Sequence, residues 1–218
     1  MYYSTPCPWL QVKLLRILQY FPVPRDPAMA KDLFDCLERV ITRTDVTKSV
    51  NKNNSDHGIL FEAINLIIHY EADVPVDLRN QTASLIGRFI TVREANIRYI
   101  GLETMAKLAA HVANTGELLM QHRGTVFYAL QDPDVSIRKR ALDVLYWICN
   151  ETNSLEIVDH LLDYLPTADY NIKEELVLKV AILAEKWGVD LTWYIDVIVQ
   201  LITYAGDSMS DDVWHRVI

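Results

Sequence analysis

The sequence predicts an all-α chain in which short amphipathic helices pair and stack side by side into an α-α superhelix. Three observations point there. Apolar residues recur at helical spacing along nearly the whole chain, helix stops and starts alternate roughly every 15 to 20 residues, and one apolar-then-cationic pattern returns several times. The composition agrees: the chain has 218 residues, 50% apolar and 23% charged, enough to bury a substantial core. Its seven Gly and eight Pro are few for the many tight turns of an all-β fold.

Taken in order, the periodicity places helices near 8–20, 28–43, 56–70, 75–89, 93–111, 116–130, 135–149, 154–165, 170–186, 190–205 and 210–218. The segment 135–149 shows the pattern well. There Ile137, Ala141, Val144, Leu145 and Ile148 share one face, while Arg138, Lys139, Arg140 and Asp143 lie off it. Asn171 with Glu174 reads as a capping box, and Gly188 followed by Asp190 reads as a stop and a start, as does Gly206 followed by Ser210. Between the second and third helices lies a polar stretch, residues 44–56, rich in Asn, Lys, Ser and Thr, which is expected to be an exposed loop. No Gly/Ser/Pro-rich linker divides the chain, so residues 1–218 are expected to form one solenoid segment. The last residues, 213–218, sit inside a young amphipathic helix with no terminating Gly or Pro, and a longer polypeptide is therefore expected. A solenoid cut between repeats exposes apolar faces, so the segment alone is expected to be marginally soluble or to self-associate.

The repeat is visible when Val12-Lys13, Ile97-Arg98, Ile137-Arg138 and Ile172-Lys173 are set in equivalent positions, with Ile59 and Val213 as weaker members lacking the cation. Successive intervals are 47, 38, 40, 35 and 41 residues. That spread is too irregular for tetratricopeptide or ankyrin arrays and fits HEAT and armadillo units. Residues 132–141 (DPDVSIRKRA) resemble the HEAT consensus: Pro133 ends one helix, Asp134 caps the next, and small Ala141 permits close helix approach. Because cations recur at this register, Arg138 is expected to reach an acidic or carbonyl group of the adjacent repeat, as one rung of a ladder; a solvated charged face is the competing reading.

Charge and motif content exclude several classes of activity. A formal net charge of −8 opposes phosphate-backbone binding over the whole surface. Cys7, Cys36 and Cys149 are far apart, odd in number and without CxxC spacing, which fits a reducing, cytoplasmic compartment. No apolar run approaches the roughly 20 residues of a membrane span, and the N-terminus lacks the basic-then-apolar layout of a signal peptide. His57, His69, His111, His122, His160 and His215 are scattered without HExxH or an i, i+4 pair, so no metal site is legible. Nor is there a GxGxxG, a GxxxxGK[ST] or a GxSxG motif. Glu174-Glu175 and Asp211-Asp212 fall in the first turns of expected helices, where the helix dipole favours negative charge. The tryptophans at 9, 147, 187, 193 and 214 are assigned to core packing by default, with Trp187 or Trp193 as alternative anchors for a partner. No catalytic, cofactor-binding or metal-binding residue is assigned, and no partner-binding residue can be named from the sequence.

Residues 8–18 (PWLQVKLLRIL), 59–70 (ILFEAINLIIHY), 96–103 (NIRYIGLE) and 174–186 (EELVLKVAILAEK) resemble the trunk of the large clathrin-adaptor subunits, the adaptins. Residues 189–196 (VDLTWYID) and 211–218 (DDVWHRVI) are similar to the alpha branch in particular. The resemblance covers nearly the whole chain in the family's order and departs most in 44–56 and 114–121. It implies a middle piece of the trunk of the plasma-membrane adaptor, a heterotetramer linking cargo and membrane to clathrin in endocytosis, and no enzyme. The implied partners are the small, medium and second large chains, with clathrin reached indirectly and the membrane met through the whole complex at coated pits. In the family the lipid-binding basic cluster lies at the extreme N-terminus and the appendage at the C-terminus; neither is matched here. A karyopherin-like transport solenoid holding basic cargo is the alternative that the negative charge permits.

Overall fold

The computed structural model describes residues 5–43, 50–112, 115–188 and 190–205, together with 211 and 214. Eleven α-helices are assigned among them: α1 (Pro8–Leu18), α2 (Pro27–Arg43), α3 (Val50–Tyr70), α4 (Val76–Phe89), α5 (Ala95–His111), α6 (Gly116–Met120), α7 (Arg123–Ala129), α8 (Val135–Ile148), α9 (Ser154–Tyr164), α10 (Tyr170–Trp187) and α11 (Leu191–Ala205). Short 3-10 turns follow α3 and α9.

The helices form two layers. In the first, α1, α3, α5, α8 and α10 lie side by side, each packed on the next; the second holds α2, α4, the α6–α7 pair, α9 and α11. Each second-layer helix leans on the first layer, as α2 does on α3, α7 on α8 and α9 on α10. The apolar stripes of both layers meet in one contiguous cluster running from Leu37 to Ala205. This is an all-α superhelix of the HEAT/armadillo kind. At the repeat register, Ile137 and Ile172 are fully buried and Ile59 nearly so. Ala141 is also fully buried, in α8, the helix that packs most closely on α5. Gly101 of α5 is constrained in a similar way, since a Cβ there would lie 3.2 Å from Ile90 and 3.3 Å from Phe89.

Several expectations are corrected. The stretch 44–56 is not wholly a loop: α3 begins at Val50, and residues 44–49 lie outside the described residues. Tertiary contacts override the poor helix propensity of Asn and Ser here. Ser55 is fully buried, Thr5 Oγ1 lies 2.8 Å from Asp56 Oδ1, and α3 packs along α1. The expected helix 116–130 is two short helices with a turn at Gln121 and His122. That turn seats the His122 imidazole over Gly87 of α4, where an added Cβ would fall 2.0 Å from Nε2. Asn171 is not a cap. The N-cap of α10 is Asp169, whose side chain makes no cap bond because it is held by Arg138. Glu174 and Glu175 consequently lie beyond the first turn, and Glu175 instead pairs with Lys179 at 2.7 Å. The stop and start at Gly188 and Asp190 stand, with Asp190 Oδ1 accepting from Trp193 N at 2.8 Å. The expected helix 210–218 and the Gly206–Ser210 signal lie outside the described residues, apart from Asp211 and Trp214.

Two of the four repeating cations, Arg98 and Arg138, form rungs of the expected kind. Arg98, near the start of α5, donates to the carbonyls of Val92 (3.2 Å) and Arg93 (2.7 Å) in its own loop, and to Asp132 Oδ2 (2.7 Å) in the next repeat. Arg138, in the same place on α8, donates to Asp132 O (2.9 Å) and to Asp169 of the following repeat. Asp132 thus receives Arg98 on its carboxylate and Arg138 on its carbonyl, joining two rungs. Asp134 caps α8 by accepting from Ser136 N at 2.8 Å.

The net worth of a largely shielded guanidinium paired with a carboxylate is about 2 kcal/mol. Arg98→Met is therefore expected to lower unfolding stability by about 2 kcal/mol, and Arg138→Met by less, because Asp169 is 50% exposed and Asp132 only 12%. Urea midpoints check this; unchanged midpoints for both variants would remove the ladder as a stabilising element.

Candidate protein-binding surfaces

Among the described residues no three His, Cys, Asp or Glu side chains gather as a metal site, and no helix is long and apolar enough to cross a membrane. The histidines are placed apart. His57 is buried in α3 with its ring edge-on to Phe89 at 5.2 Å, and neither ring nitrogen has a hydrogen-bond partner. His160 of α9 stacks on Phe127 of α7 at 4.1 Å, beside an Arg123–Glu156 ion pair of 2.8 Å that also ties these helices together. His122 sits over Gly87, while His69 and His111 stand at the ends of α3 and α5; His215 lies outside the described residues.

The outward face of the first layer carries a polar web across three repeats. Arg140 of α8 donates to Tyr99 Oη of α5 (3.3 Å) and pairs with Asp143 (2.7 Å). Lys179 of α10 reaches Asp143 and Glu175 and lies over the Tyr146 ring at 5.7 Å. These contacts fasten neighbouring helices and leave aromatic rings at the surface. Core packing holds for Trp187 and Trp193, which pack partly buried against the core. It fails for Trp9, Trp147 and Trp214, which are 58%, 50% and 36% exposed.

Concave space lies at both edges of the first layer: a cleft of about 480 Å³ lined by Val92, Arg98, Tyr128 and Asp132 sits where α5 and α8 begin, and three more lie where first-layer helices end. A cleft of about 660 Å³ lies between the last turns of α5 and α8, lined by His111, Glu117, Trp147, Cys149 and their neighbours. A second, of about 440 Å³, lies against Gln19, His69, Glu71, Lys107 and His111, and a third, of about 430 Å³, shares Gln19, His69 and Glu71 and adds Tyr20, Phe21 and Asp73. Sequence reading missed this edge because its residues come from four separate stretches, 19–23, 65–73, 107–117 and 147–150, and follow no motif. A local signal is that His69, His111 and Trp147 fall in the last turns of first-layer helices.

Kinship is decided by comparison with known proteins. A profile of the adaptin N-terminal region matches residues 2–218. The chain belongs to the adaptin family. This adaptin segment is 51% identical over its whole length to the AP-2 complex subunit alpha-1 of Arabidopsis thaliana, of which it spans 21%. In Dictyostelium discoideum it is 52% identical to the AP-2 complex subunit alpha-2 and 38% identical to the AP-1 complex subunit gamma, in both cases over about a fifth of the relative. The likeness is thus to the alpha branch, as residues 189–196 and 211–218 indicate. An engineered protein of 14% identity superposes with a TM-score of 0.55, covering 98% of this chain and 55% of its own, and shares the fold alone.

Two outcomes follow for this adaptin segment. Burial pushes the His57 imidazole below its ordinary value of 6.5, against the opposing pull of Asp56 and Glu94. Above pH 6.5 the folded and unfolded chains both hold it neutral. As pH falls below 6.5 the unfolded chain takes up the proton first, so stability declines, by at most about 1.4 kcal/mol per pH unit, until the folded-state value is passed. His57→Leu should flatten that decline in melts run from pH 7.5 to about 5. Burial also pushes the Cys149 thiol up to about 12, offset in part by Lys186. Iodoacetamide at about pH 8 should therefore alkylate the exposed Cys7 and Cys36 and spare Cys149 until the chain is unfolded, as read by peptide mass mapping.

Proposed function

We propose that this chain is a protein-binding scaffold within the trunk of a clathrin-adaptor large subunit, and that residues 1–218 act as one solenoid segment of it. The observation that carries the reading is 51% identity, over the entire chain, to a protein named as an AP-2 complex alpha subunit. The geometry is compatible. Two helical layers offer a long surface with shallow clefts, suited to spreading contact over a large area rather than enclosing a small substrate. In this reading the segment assembles with the small, medium and second large chains, and the complex links cargo and membrane to clathrin at coated pits on the cytoplasmic face of the plasma membrane. It carries out no reaction of its own. Lipid and appendage contacts belong to other parts of such a subunit.

Co-expression with the adaptor small, medium and second large chains, followed by affinity purification and cross-linking, tests this. The expected result is recovery of at least one sister chain with cross-links to first-layer or second-layer helices. Recovery of none, under conditions where a basic nuclear-import cargo is retained, would overturn it in favour of a transport-receptor solenoid.

A further inference from the structure

The three clefts at the ends of the first-layer helices are neighbours that share walls. Gln19, His69 and Glu71 are common to two of them, and His111 is common to the middle one and the largest. Together they make a trough crossing the C-terminal ends of α1, α3, α5 and α8. Three interaxial steps of about 8 to 10 Å give a length of about 24 to 30 Å. An extended chain covers that in about eight residues.

The chemistry of the trough is that of a cation receptor. Glu71, Asp73 and Glu117 place carboxylates along it. Each crossing helix turns its negative dipole end toward this edge. Glu71 stands in the left-handed region at φ 45°, an uncommon conformation for a side-chain-bearing residue, where the chain turns out of α3. Cations already at this edge are engaged: Lys107 lies 3.4 Å from Glu103, and Lys186 lies over the Trp187 ring at 4.6 Å. His69 and His111 add ring nitrogens midway along.

Aromatic rings complete the pattern. Three times in this layer a cation rests on a ring: Arg140 on Tyr99 at 5.5 Å, Lys179 on Tyr146 at 5.7 Å and Lys186 on Trp187. Trp147, next to Tyr146 and half exposed on the wall of the largest cleft, carries no such cation among the described residues. Tyr20 and Phe21, 85% and 56% exposed, stand at the far end. A chain of net charge −8 bears no general obstacle to a basic partner.

We propose that this trough docks an extended, basic segment of a partner protein, with a Lys or Arg side chain seated between Trp147 and Glu117 and further cations met by Glu71 and Asp73. This deepens the scaffold reading by naming the chemistry of one partner. Cation–π contact at Trp147 and rim carboxylates give affinity that weakens as salt rises.

The test is fluorescence titration of the full chain with a fluorescein-labelled, nine-residue peptide of alternating Lys and Ala, against its Glu counterpart. Expected are binding of the Lys peptide alone, a loss of affinity of about tenfold on going from about 50 to 300 mM salt, and further losses of about tenfold for E117K and for W147A. Asp32→Lys, on exposed α2 in the other layer, should change nothing. Thermal melts by circular dichroism show which variants remain folded. Equal binding of the Glu peptide, or unchanged affinity in folded E117K and W147A, would overturn the proposal. A chain that assembles with sister subunits yet ignores the Lys peptide sinks the trough and leaves the scaffold; one that binds the peptide but no sister chain does the reverse.

Discussion

The apolar seam between the two helical layers is the constraint from which the other features descend. A single amphipathic helix of 11 to 18 residues, such as α9 or α10, is marginal on its own in water. It becomes stable here because its stripe is covered twice, by a partner in the opposite layer and by neighbours in its own. Leu102, Met105 and Leu108 of α5 are fully buried because α4 lies across them while α3 and α8 flank them. Removing one helix would strip cover from three others, so stability in such a stack belongs to interfaces more than to repeats.

Once the interior is given over to apolar contact, polar chemistry is pushed to the two rims of the first layer, and the rims differ. At the N-terminal rim the ladder of Arg98, Asp132, Arg138 and Asp169 satisfies loop carbonyls and carboxylates internally. Arg138 Nε is nonetheless left without a partner, and a cleft of about 480 Å³ opens beside Arg98 and Asp132. At the C-terminal rim, small residues such as Ala109, Ala110 and Gly116 leave open clefts, and a half-exposed tryptophan remains on the wall. One rim commits much of its hydrogen-bonding capacity to register between repeats; the other carries no such ladder among the described residues.

The fold was legible in the sequence because periodicity, caps and repeat spacing are local signals that tertiary packing reinforces. Pro133 and Asp134 before α8, and Gly188 and Asp190 around the α10–α11 turn, act through bonds spanning two or three residues. Errors fell where a distant contact prevailed. The polar residues after 49 are helical because α1 supports them, the break at His122 serves Gly87, and Asp169 is taken from its cap by Arg138. Arg138 itself was anticipated since its register recurs. The C-terminal clefts were not, as Gln19, Glu71 and Trp147 share no spacing and fall along one edge only once the helices are stacked.

These rims also explain why such a surface can bind without an enclosed site. Affinity in a solenoid comes from many shallow contacts held at fixed spacing, and spacing is only as constant as the registry of the helices that carry it. Asp132 couples the α5 and α8 rungs through both its carboxylate and its carbonyl, so the distance between those helices is set at the N-terminal rim. The largest cleft lies between the opposite ends of the same two helices. Because a packed helix is stiff over three or four turns, a change of angle at the ladder is carried to the cleft at the other end. The interactions that stabilise the stack therefore also shape the surface it presents to a partner.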